Sequence, residues 1–240
     1  MPGTDANGIR QAYRAHHLLI TGGIGSGLHE HCFTALDRAI EHGCIIHYLT
    51  VADDLSYILA ELYNRALEYE RAKTFFSNTL GKMPHPLFST ISVKDVHEKN
   101  GICVHAVPRE AKASADDFLN ILDQLNSILR KDEKNCVVVI HGNAVLFTRL
   151  RESLLALQDL KSVSIILLEH IFSSDSPVSR KYQIFFENGF AHMKLLGGTM
   201  GHDESDFAWI PNPLSSQRTQ PIKLRYKSVK RPFTSPIFAN

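Results

Sequence analysis

The sequence predicts an α/β protein of three layers: a mostly parallel central sheet with helices on both faces and antiparallel strands at its C-terminal end. Two observations predict it. Short apolar runs rich in β-branched residues alternate with longer segments of helical period. Near the C-terminus two strand-like runs follow one another with no helical segment between them, so that pair is read as antiparallel.

The elements follow in order. His17-Leu-Leu-Ile-Thr21 is the first strand, and Glu30 to His42 is a helix with Phe33, Leu36, Ala39 and Ile40 on one face, closed by Gly43. Cys44 to Thr50 is the second strand, and a helix from Leu55 to Arg71 carries Ile58, Leu59, Leu62 and Ala66 inward. Residues 74–100 contain Gly81, Pro84 and Pro86, which interrupt regular structure, and are read as a surface excursion. Ile102 to Val107 is a third strand, and Ser114-Ala-Asp-Asp opens a helix that runs to Lys131. Cys136-Val-Val-Val-Ile140 is the most β-prone run and belongs at the centre of the sheet. Helix Val145–Leu160, strand Val163–Leu168 and a helix from Val178 to Phe186 come next. Ala191–Leu196 and Ile222–Val229 are the two late strands, joined by a long loop containing Pro211 and Pro213.

A chain of 240 residues with 44% hydrophobic content fits one domain spanning 1–240, with a flexible N-terminus over residues 1–15. Lysine and arginine total 26 against 25 aspartates and glutamates, which excludes a global basic field of the kind that announces a nucleic-acid binder. Any charged site is therefore local. Cys32, Cys44, Cys103 and Cys136 are widely spaced and form no metal-type pair, so reduced thiols in a cytoplasmic or nuclear setting are expected. No run approaches the roughly 18 to 20 apolar residues that cross a bilayer, and the first residues lack an apolar leader core, so no membrane association is expected.

The glycine turn after the first strand carries the functional question. A phosphate loop needs glycines for tight turning, backbone N–H groups converging on phosphates, a lysine for the β- and γ-phosphates, and a serine or threonine for magnesium. Gly22, Gly25, Ser26 and Gly27 supply the first part. Leu28 and His29 then stand where lysine and the hydroxyl residue belong. Leucine offers neither charge nor donor, and imidazole is a poor ligand for hard magnesium. The apolar strand Val137–Ile140 should end in a magnesium-facing aspartate, yet the next residue is His141. With all three groups missing, ATP hydrolysis is not expected and no cofactor is assigned, although the glycines leave ATP binding possible in principle. A dinucleotide site fits less well. Glu30 occupies the place of the third glycine, and Tyr226 and Lys230, at the Tyr-xxx-Lys spacing of short-chain dehydrogenases, lie on a late strand instead of a helix.

The succession of strand, glycine turn, helix, a strand ending Tyr48-Leu-Thr50 and a helix opening Asp54-Leu-Ser-Tyr-Ile58 resembles RecA-superfamily proteins of the KaiC and archaellum-ATPase type. Their late strands are comparable to Ala191–Leu196 and the basic run Ile222–Lys230. Because the phosphate and metal motifs are degenerate, the chain is most similar to the RecA-like accessory subunits of the Elongator complex. That resemblance implies a pseudo-ATPase subunit in a ring with sister RecA-like subunits, binding tRNA in support of wobble-uridine modification. Divergent KaiC-type ATP-binding regulators and RecA-like recombination mediators remain alternative relatives.

Two local features complete the reading. Arg218, Lys223, Arg225, Lys227, Lys230 and Arg231, with Tyr226 interleaved, have the chemistry of phosphate contact plus base stacking. A solvated edge strand explains them equally, since lysines there discourage aggregation. His29, His31 and His141 converge if the glycine turn and the central strand are neighbours, with His170 on the same edge. A transition-metal site is conceivable there. No acidic or cysteine partner stands at ligand spacing, so hydrogen-bonded histidines are the expected state and no metal is assigned.

Overall fold

A computed structural model describes residues 16–23, 25–51, 55–70, 75–79, 92–107, 111–171, 182–195, 207–210 and 213. The elements are β1 (His17–Gly22), α1 (Leu28–Glu41), β2 (Ile45–Val51), α2 (Leu55–Glu68), β3 (Phe75–Thr79), α3 (Val93–Glu98), β4 (Ile102–Val107), α4 (Ala111–Leu129), β5 (Cys136–Gly142), α5 (Ala144–Gln158), β6 (Val163–His170), α6 (Gln183–Glu187), β7 (Ala191–Leu195) and β8 (Phe207–Ile210). The strands form one sheet in the order β3-β4-β2-β5-β6-β1-β7-β8. Every neighbouring pair from β3 through β7 is parallel. As the apolar run predicts, β5 sits in the middle.

Alternation along each strand divides the core into two layers. In β5, Cys136, Val138 and Ile140 pack on one face with Phe118, Leu122, Leu150 and Leu154 of α4 and α5. Val137 and Val139 pack on the other with Phe33, Leu36, Ile58 and Leu62 of α1 and α2. The fold is thus α/β/α in three layers, and burying a side chain such as Phe118 contributes about 1.5 to 3 kcal/mol. The α1 helix forms because Leu28, Cys32, Phe33, Leu36 and Ile40 recur at helical spacing and are all buried. It ends where Cys44 N–H donates to the Ala39 carbonyl at 2.9 Å and Gly43 N–H to that of Ile40 at 3.1 Å, a Schellman closure.

Three expectations are corrected. Residues 74–100 are not a structureless excursion: β3 extends the sheet edge beside β4, and Val93, Val96 and His97 of α3 are buried. A capping box fixes α3, with Ser92 Oγ accepting from Asp95 N–H and the Asp95 carboxylate accepting from Ser92 N–H. Phe-Phe-Ser-Asn-Thr shows no apolar alternation, and the six residues of α3 make less than two turns. The antiparallel partner of β7 is β8, which lies within the stretch read as loop, and four residues carry no alternation signal. The expected strand Ile222–Val229 lies outside the described residues, as do residues 1–15, Pro84 and Pro86. Finally, α4 starts at Ala111, before the expected cap at Ser114; of the helix expected over Val178–Phe186, α6 covers Gln183–Glu187, and residues 172–181 lie outside the described residues.

Candidate functional site

The carboxyl ends of the parallel strands and the start of α1 bring together the glycine turn, His29, His141 and His170. β1 ends at Gly22, and a Cβ added there would press on the Ser26 hydroxyl and stand 3.0 Å from Leu195 Cβ, so any side chain would force its neighbours to shift. The turn closes with Ser26 N–H donating to the Gly23 carbonyl at 3.1 Å. Gly27 caps α1 at φ 76° and ψ 29°, a left-handed conformation that costs any other residue about 1 to 2 kcal/mol.

Leu28 is 2% exposed and packs in the α1 layer of the core. His29 is also buried, and its Nδ1 lies 3.2 Å from the Tyr48 hydroxyl of β2. Its ring meets that of His141 edge-on at 4.8 Å and that of His170 at 5.9 Å between centroids. His141 and His170 stand 5.3 Å apart by the same measure.

Period-2 alternation explains why these rings share one face. Val137, Val139 and His141 follow one side of β5, and Ile166, Leu168 and His170 one side of β6. Ile46, Tyr48 and Thr50 do the same on β2, and Thr50 Oγ1 lies 3.4 Å from His141 Nδ1. Burial first, and then the neighbouring His29 and His170, hold the His141 imidazole down to about 3. Tyr57 of α2 donates to Glu30 Oε1 at 2.8 Å and turns its ring edge toward His29. Burial and that hydrogen bond push the Tyr57 phenol upward.

The sheet order corrects one premise. β6 lies between β1 and β5, so the glycine turn and the end of the central strand are not adjacent. His29 reaches His141 because α1 packs across β1, β2 and β6. His31 takes no part: two residues along a helix is a rotation of about 200°, and His31 is buried on the other side of α1 at 1% exposure. Among the described residues, His29, His141 and His170 are the group whose ligand atoms, one from each ring, all lie within 4.8 Å of one another. Spacing along the chain gave no sign of so close an approach.

Tyr48, Thr50, Tyr57 and Glu169 were not among the site residues expected from the sequence. The alternation of β2 points to the first two in retrospect. The Glu169 carboxylate accepts from Ala144 N–H at 2.9 Å, at the start of α5, a contact between elements that no local pattern signals. Arg218, Lys223, Arg225, Tyr226, Lys227, Lys230 and Arg231 of the basic strip all lie outside the described residues, as does Asp54.

These features define a parallel α/β protein whose strand ends carry a tight glycine turn beside a three-histidine cluster. No protein-family model and no curated protein matches the chain. No helix among the described residues is long and apolar enough to cross a membrane.

Proposed function

We propose that this chain is a RecA-like pseudo-ATPase, a subunit that keeps a nucleotide-binding scaffold and acts by assembling with sister RecA-like subunits. The finer reading is an Elongator-type accessory subunit that binds tRNA in support of wobble-uridine modification. One observation carries the non-catalytic part. Leu28 and His29 follow the glycine turn directly, and both are built into the interior, one in apolar packing and the other against Tyr48 and His141. Phosphoryl transfer needs preorganised cationic groups and a metal on the transferring phosphate. At these positions there is neither ammonium nor hydroxyl nor carboxylate.

The assembly part rests on the resemblance in element order and on the degenerate motifs, and a native pull-down tests it. The tagged full chain, recovered from its own cells, is expected to bring down RecA-like partner chains and tRNA, with no ATP turnover by the purified chain. A chain that stays monomeric at micromolar concentration and captures no partner overturns the assembly reading. ATP hydrolysis that is lost on a Gly27→Val change overturns the pseudo-ATPase reading.

A further inference from the structure

We propose that His29, His141 and His170 form a binding site for a divalent transition-metal ion, zinc being the ion that the ligand set suits best. This inference rests on the side chains alone and not on the RecA-like reading, so either can fail without the other.

The donor set is the first argument. Three imidazoles and no carboxylate or thiolate select borderline ions such as zinc, copper, nickel or cobalt over magnesium or calcium, which require oxygen. Three histidines with solvent as the fourth ligand is the composition of an open zinc site, as distinct from closed structural sites with four protein ligands. The stepped burial of the cluster agrees with an open site: His29 is buried, His141 is half-buried and His170 is exposed. Solvent therefore reaches the cluster from the His170 side.

Geometry is the second argument. Zinc–nitrogen bonds of about 2.0 Å in a tetrahedron place ligand nitrogens about 3.3 Å apart, and here they already lie within 4.8 Å of one another. Closing onto an ion thus requires a movement of about 1.5 Å shared between three rings, which side-chain rotation supplies, above all in His170 at the surface. The ligands come from three separate elements, α1, β5 and β6, so one ion would tie the glycine-turn helix to the two central strands.

The surroundings are the third argument. Metal-bound histidines hold their second ring nitrogen on an outer partner that sets tautomer and orientation. Two of the three have such a partner at Nδ1: the Tyr48 hydroxyl for His29 at 3.2 Å and the Thr50 hydroxyl for His141 at 3.4 Å. That assigns Nε2 of both rings to the metal. Both partners sit on β2, two residues apart on the same face, so one strand would orient two ligands at once.

The test is titration of the chelator-stripped full chain with zinc against a chromophoric chelator, repeated with cobalt for its visible absorption. One equivalent should bind, with a rise in melting temperature and a cobalt spectrum of four- or five-coordinate nitrogen and oxygen ligation. His170→Ala changes an exposed side chain and should fold normally while weakening binding at least about tenfold, and Thr50→Val should weaken it within the roughly 10- to 100-fold range of outer-partner losses. His42→Ala, on an exposed residue outside the cluster, should change nothing. Absence of saturable zinc or cobalt binding at micromolar protein overturns the proposal, and so does binding that His170→Ala and His141→Ala leave unchanged.

Discussion

His29 and His141 meet edge-on, their ring centroids 4.8 Å apart with an interplanar angle of 90°. In the RecA-like reading proposed above, they stand at the positions of the magnesium-binding hydroxyl and the magnesium-facing acid. With the Tyr48 hydroxyl at His29 Nδ1 they form one packed unit beside the glycine turn.

The hydroxyl of Tyr48 anchors that unit. Tyr48→Phe removes the partner at His29 Nδ1 and keeps the ring packing, so a loss of about 1 kcal/mol in unfolding free energy is expected. Urea denaturation measures it, and a variant as stable as the parent would show that the contact does not hold His29.

Installing phosphate-loop residues at these positions should not confer ATP hydrolysis. Leu28 is 2% exposed within the α1 layer, and Leu28→Lys places an ammonium among apolar side chains at a cost of about 3 kcal/mol. The double variant Leu28→Lys with His29→Ser should melt at lower temperature and release no phosphate from ATP. Phosphate release above background would contradict the assignment of these positions to the core.

Glu169 is tied to the start of α5 by its bond from Ala144 N–H at 2.9 Å. Glu169→Ala leaves that buried donor without its carboxylate and removes a favourable charge at a helix N-terminus, a loss of about 1 to 3 kcal/mol. Glu169→Gln keeps an acceptor and should lose less. Thermal melting of both variants reads the difference, and equal losses would mean that the hydrogen bond contributes nothing.

Acid should destabilise the protein well before its carboxylates titrate. Burial brings His17 and His192 down to about 4 and His105 to about 3, and pulls His47, which lies 2.9 Å from His105, well below its ordinary value. Above about pH 6.5 these histidines are neutral in the folded and unfolded chain alike. As pH falls below 6.5 the unfolded chain takes up protons that the folded chain refuses, so stability drops toward pH 4. Each such histidine contributes a slope of up to about 1.4 kcal/mol per pH unit. Denaturation midpoints at pH 7.5, 6.5 and 5.5 should decline across the last interval and hold across the first. His105→Gln should make the decline shallower, and a midpoint unchanged at pH 5.5 would count against these neutral buried imidazoles.

Long elements were legible because burial imposes a period on them. Phe33, Leu36 and Ile40 recur at helical spacing, and Val137 to Ile140 is continuous because both faces of β5 are covered. The brief elements β3, α3 and β8 were not legible: Phe75–Thr79 has no apolar alternation and depends on pairing with β4, α3 makes less than two turns, and β8 is four residues long. In the site, Gly22 and Gly27 announced the turn, but Tyr48, Thr50 and Glu169 act through partners far along the chain, 19 residues away for Tyr48, 91 for Thr50 and 25 for Glu169.

By itself, the sequence determined the α/β class, the central place of β5, and that Leu28, His29 and His141 are neither lysine, hydroxyl residue nor acid, because composition and periodicity are local properties. Only the tertiary structure decided that β6 separates β1 from β5, that His31 turns away, and that His29, His141 and His170 come within 4.8 Å of one another. The physical reason is that parallel pairing aligns the ends of strands distant in sequence, while helix rotation selects which side chain of α1 reaches them.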